Sequence, residues 1–120
     1  MKIAITSEGE TLESMVDQRF GRAAKFIIFD TESETFTVQD NTQNLNAAQG
    51  AGIQSAQNVV DSGATALITG HTGPKAFRVL YAGKISIFLS KKETVKTAID
   101  QWKKNELTQI TEADVEGHWI

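Results

Sequence analysis

The stretch SGATALITGHTGPKAF, residues 62–77, reads as a strand delivered into a helix through a glycine-bearing loop. ATALIT, Ala64–Thr69, is an almost continuous apolar run, which suits a strand buried on both faces. Pro74 fits the first turn of a helix, where its missing N–H leaves no bond unmade, and Gly83 marks the stop. Ala76, Phe77 and Leu80 give that helix an apolar face. A buried strand feeding a helix is the repeating unit of a parallel α/β sheet.

The alternation continues outward. Upstream, Ile53, Ala56, Gln57 and Val60 recur at helical spacing, and Gly63 stands where a C-cap glycine would. Downstream, KISIFLS is a second buried strand. KKETVKTAIDQWKKN is an amphipathic helix with Val95, Ile99 and Trp102 on one side. The front of the chain differs. KIAIT, Lys2–Thr6, is a short β-branched strand, and the segment after it has no sustained period and reads as a long loop. KFIIFD, Lys25–Asp30, and TFTVQD, Thr35–Asp40, form a hairpin across the polar turn TESE. NTQNLNAAQGAG is another loop, and the tail ELTQITEADVEGHWI has weak periodicity, either docking through Trp119 or staying loose. The expected order is β, loop, β, β, helix, β, helix, β, helix. That is an α/β domain with a mixed sheet and helices on both faces.

Bulk composition narrows the chemistry. At 120 residues the chain is one domain, long enough to bury a real core. The net charge of −3 and the lack of a strongly basic run argue against a nucleic-acid partner. There is no cysteine, which excludes disulfides, thiolate metal sites and cysteine nucleophiles. No stretch approaches the length of a membrane span and the start is too short for a signal peptide. A cytoplasmic protein with no membrane partner is expected.

In open α/β sheets, ligands sit beyond the carboxyl ends of the parallel strands. Three glycine-bearing loops follow or feed such ends: the one after Ser7, the one holding Gly50 and Gly52, and the one holding His71 and Gly73. The helix that begins near Pro74 has an N-terminus carrying about half a positive charge. Lys75 and Arg78 stand in or near its first turn, and no acidic residue lies between Ala64 and Gly83. Cations on a positive helix end are favourable when an anion binds there. Arg19 and Arg22 from the first loop could join them. The candidate binding residues are therefore Ser7, Arg19, Arg22, Gly50, Gly52, Gly73 and Lys75, with His71 as the candidate metal ligand. Each has a plainer reading. Gly73 and Pro74 suffice as a helix start, Gly50 and Gly52 as a turn, and Ser7 as a turn cap. Arg19 and Arg22 could pair with Asp17 or Glu8, Lys75 could face solvent, and His71 could be an ordinary loop residue. No GxSxG and no P-loop motif is present, so catalysis is not expected.

VDQRFGRAAKFIIFD, GAGIQSAQNVVDSGATALITGHTGPKAF and KISIF, in this order, resemble the dinitrogenase iron-molybdenum cofactor biosynthesis family. That family includes NifX-like proteins, the carboxy-terminal domain of NifB and small stand-alone members. The resemblance covers residues 1–103 and leaves 104–120 as a C-terminal extension. It implies a ribonuclease H-like fold, with a five-stranded mixed sheet in the order 3-2-1-4-5. A nuclease on that fold needs carboxylates on its first and fourth strands to hold metal ions. Strand one here offers Lys2, Thr6 and Ser7, and strand four ends in Thr69, so nuclease activity is not expected. The resemblance implies instead a non-catalytic binding or carrier protein for an anionic iron–sulfur or molybdenum-containing cluster, transiently bound. Cofactor-assembly proteins would be its partners. A regulatory or protein-interaction module without a cluster is the alternative, and a catalyst for a small phosphorylated or carboxylate substrate stands last.

Overall fold

The computed structural model describes residues 1–41 and 51–111. Gly50, His118 and Trp119 lie outside the described residues. The described elements are β1 (Lys2–Ser7), β2 (Lys25–Asp30), β3 (Phe36–Asp40), α1 (Ala51–Asp61), β4 (Ala66–Thr69), α2 (Pro74–Ala82), β5 (Ser86–Leu89), α3 (Val95–Lys103) and β6 (Thr108–Ile110). They form one mixed sheet in the order β3-β2-β1-β4-β5-β6. β1, β4 and β5 run parallel, whereas β2, β3 and β6 join antiparallel to their neighbours.

Period-two alternation sorts the side chains of the central strands onto two faces. Ala4, Phe26, Ile28 and Leu67 meet Ala56 and Val59 of α1 and Ala76, Phe77 and Leu80 of α2. Ile3, Ile5, Ile27 and Ile68 meet Val95, Ala98 and Ile99 of α3. Helices therefore cover both faces, as the alternation of elements requires. Burying one of these branched side chains contributes about 1.5–3 kcal/mol, so both layers are needed to hold the sheet.

Three expectations need correction. The sheet has six strands rather than five, because β6 falls beyond residue 103 and pairs with the outer edge of β5. There Ile110 lies opposite Ile87 and packs on the core layer of α1 and α2. The inward face of α1 is Ser55, Ala56 and Val59, while Ile53 is exposed. That face is rotated because the Asn41 side-chain amide donates to Ser55 Oγ at 3.1 Å and draws a polar residue inward. β3 lacks the alternation expected of a half-exposed strand, since Phe36 and Val38 are also exposed. The helix ends follow the sequence. Pro74 opens α2, Gly83 closes it, and Gly63 after α1 takes a φ of 87° that favours glycine. No helix among the described residues is long and apolar enough to cross a membrane.

Candidate functional site

Parallel pairing of β1, β4 and β5 brings their carboxyl ends to one edge of the sheet. Thr6 and Thr69 fall there side by side. The Thr6 hydroxyl lies 2.9 Å from that of Thr69 and 2.6 Å from the carbonyl of Asp17. This stitches the first loop to the strand ends from below. The third loop closes on the first from the side. The Phe20 amide donates to the His71 carbonyl at 3.1 Å. Gly70 has no room for a side chain, because a Cβ there would come within 2.7 Å of Gln18 Cα. The two loops thus lie against one another.

The first loop uses several of its polar groups internally. Ser7 is fully buried, and its hydroxyl donates to the Gly9 carbonyl at 2.8 Å while accepting from the Gly9 amide at 3.1 Å. It caps a turn. Asp17 is buried and accepts from the Arg19 amide at 3.0 Å, from Arg19 Nε at 3.3 Å and from a terminal guanidinium nitrogen at 3.4 Å. The hydrogen bond to Asp17, then its charge, raises the Arg19 pKa above its ordinary value. Arg19 therefore has its own counter-charge. Glu8 pairs with Lys92 at 3.4 Å. Arg22 is exposed in the turn that follows.

The start of α2 is different. Gly73 stands at the N-cap with a φ of 84°, and no side chain caps the helix. The first intrahelical bond runs from the Phe77 amide to the Gly73 carbonyl, at 3.1 Å. The amides of Lys75 and Ala76 precede it and have no acceptor within the helix. Lys75 is exposed and makes no ion pair among the described residues, and there is no acidic residue in the first turn. A cleft of about 270 Å³ opens here, lined by Gly52 and Ile53 of α1 on one side and by Thr72 to Ala76 on the other. A Cβ at Gly52 would lie 3.4 Å from that of Ala76, an ordinary packing distance.

Two buried side-chain polar atoms among the described residues have no hydrogen-bond partner, Gln18 Nε2 and Thr72 Oγ1. Both belong to the paired loops. Leaving such a group unsatisfied costs about 1–3 kcal/mol, and neither atom opens to the surface. Sequence reasoning missed both. Nothing marks them in the sequence except their flanking glycines, Gly70 and Gly73. It did find Gly52, Gly73 and Lys75, which the structure brings together at one cleft. It does not bring Ser7 or Arg19 there as free donors. His71 is exposed beside them, but no group of three or more His, Asp or Glu side chains that could hold a metal ion exists among the described residues. A larger hollow, about 430 Å³, lies around Phe77, Tyr81 and Ile110. Its lining, like that of the cleft at α2, is mainly apolar, with Lys84 its one charged residue.

The family model described as dinitrogenase iron-molybdenum cofactor matches residues 1–105. The chain belongs to this family. Among solved structures, it is similar to the apo form of the orange protein from Desulfovibrio gigas, with 36% identity and a TM-score of 0.92. That match covers 95% of this chain and 96% of the other. A protein from Thermotoga described as a putative NifB protein shares 38% identity at a TM-score of 0.84, covering 97% of this chain and 98% of that one. An uncharacterised protein of Methanocaldococcus jannaschii is 27% identical over 112 residues, 92% of each chain. The dinitrogenase iron-molybdenum cofactor family thus spans β1 to α3 here and stops short of β6.

Proposed function

We propose that this chain is a non-catalytic binding or carrier protein for an anionic iron–sulfur or molybdenum-containing cluster, related to nitrogenase cofactor biosynthesis. The observation that carries this reading is the site at the strand ends. It combines an uncapped helix N-terminus with an exposed Lys75 that makes no ion pair among the described residues. The donor set suits an anion held from outside. The chain has no cysteine and the described residues hold no ready metal-ligand group. A cluster would therefore arrive with its own ligands complete and be held by amides and a lysine, with His71 as the single candidate for a direct bond. Such a cluster is cargo, taken from and passed to cofactor-assembly proteins in the cytoplasm. The family supports this reading, as does a relative known in an apo form. The strand order 3-2-1-4-5 within the sheet supports the ribonuclease H-like fold that the resemblance implies.

The test is anaerobic mixing with isolated iron-molybdenum cofactor or an iron–sulfur precursor, followed by sizing chromatography. Metal and visible absorption should elute with the protein. Lys75→Gln should weaken retention about fivefold or more, the effect of losing one charge near an anion in a partly exposed site. Lys103→Gln should not, because Lys103 reaches Glu34 at 3.0 Å, near the opposite end of β1. Equal effects of the two would remove Lys75 from the site, and metal in the small-molecule volume would end the carrier reading.

A further inference from the structure

We propose that residues 112–120 fold back over the hollow between α2, β5 and β6, with the indole of Trp119 laid against Phe77 and Tyr81. The inference does not depend on the cluster reading. It concerns the carboxyl-terminal half of α2, away from the cleft at its start.

Three observations meet here. The first is the hollow itself, walled by Phe77 and Tyr81 of α2, Ile87 of β5 and Ile110 of β6. Phe77 and Ile87 belong to the core, but Tyr81 is 65% exposed. Its ring stacks on that of Phe77, with centroids 5.8 Å apart and planes 19° from parallel. Such a pair can take a third aromatic side chain at similar spacing, and a large ring gains by leaving water. The second is where the described chain stops. β6 pairs antiparallel with β5, Thr108 opposite Leu89 and Ile110 opposite Ile87, so the chain leaves β6 toward the amino end of β5. Thr111, the last described residue, lines the hollow beside Lys84. The segment that follows therefore starts at the rim. Trp119 is eight residues further on. That is a reach of up to about 28 Å when extended, enough to return over α2 without moving β6. A segment tethered this closely acts at an effective concentration on the order of millimolar, which favours it over a free partner.

The third is charge. Residues 62–92 contain Lys75, Arg78, Lys84, Lys91 and Lys92 and no acid. Lys84, at the rim, is exposed and makes no ion pair among the described residues. Residues 112–120 carry Glu112, Asp114 and Glu116 with no lysine or arginine, and Val115 and Trp119 stand among them. An acidic segment with apolar side chains complements a basic rim around an apolar floor. An isologous contact with a second copy would instead bring two basic faces together.

NMR on the labelled full chain tests the docking, at a concentration where sedimentation shows a monomer. Nuclear Overhauser contacts are expected from the Trp119 indole to the Tyr81 ring and the Ile110 methyls. Trp119→Ala should shift the resonances of Phe77, Tyr81 and Ile110. It should leave Ala98 and Ile99, on the other face of the sheet, unmoved. Tyr81→Ala, at a position exposed enough to spare the fold, should remove the indole contacts. Lys84→Glu should speed hydrogen exchange at the indole about threefold, the scale of a surface charge pair. Trp119 resonances at random-coil positions, or indole contacts unchanged by Tyr81→Ala, would overturn the proposal. So would contacts seen only at concentrations where the chain dimerises, which would make a second copy the occupant.

Discussion

Gly70 shows how a single residue sets this site. It has no side chain because Gln18 runs past it, and a Cβ would come within 2.7 Å of the Gln18 backbone. Backbone yields less readily than the end of a flexible side chain, so Gly70→Ala must push the first and third loops apart. We expect a loss of about 1–3 kcal/mol in urea unfolding, the usual scale of overpacking, together with weakened binding at α2. Unfolding midpoints equal to wild type would show that the loops are not held by this contact. The arginine in the first loop was partly legible. Asp17 stands two residues before Arg19 in the sequence, and the two do pair. Thr72 and Gln18 were not legible, since a missing partner is a property of the folded surroundings and not of residue type.

Among the elements, the legible ones carry their own period or punctuation. α3 presents Val95, Ala98 and Ile99 inward at helical spacing, and α2 is bracketed by Pro74 and Gly83. β6 is different. Thr108 and Gln109 are exposed and only Ile110 is partly buried, so three residues carry no pattern of their own. The open edge of β5 makes them a strand, a tertiary effect that outweighs propensity. The face of α1 was misread for a similar reason, because a hydrogen bond from Asn41 buries a serine. The turn between β2 and β3 offers a pH test. Asp30 accepts from the Glu32 amide at 2.8 Å and the Ser33 amide at 3.3 Å. These bonds, Glu32 first, hold its carboxyl below the ordinary range. A depressed carboxyl contributes stability above its unfolded value and loses it as the pH falls through its folded value. The stability gap between wild type and Asp30→Asn should therefore be widest near neutral pH and shrink on acidification below about pH 4. A gap in chemical-denaturation stability that stays constant from pH 6 to pH 3 would deny the turn this role.

At the scale of the molecule, the sheet divides into two parts with different tasks. The antiparallel strands β2 and β3 extend it on one side, and the parallel strands aim three loops at one edge. The alternation of strand and helix after residue 52 was enough to anticipate this, because parallel pairing follows from crossover helices. What it could not give is which of the cations gathered at that edge are free. Arg19 is tied to Asp17, whereas Lys75 stands at an uncapped helix end. The family name points to metal clusters, and the fold alone would not. The central claim is that the protein carries such a cluster. It is tested most directly by metal and acid-labile sulfide analysis of the protein isolated anaerobically from its own host. The account predicts iron or molybdenum with sulfide eluting with the protein in near-stoichiometric amounts and released on mild denaturation. Protein that is metal-free under those conditions would contradict it.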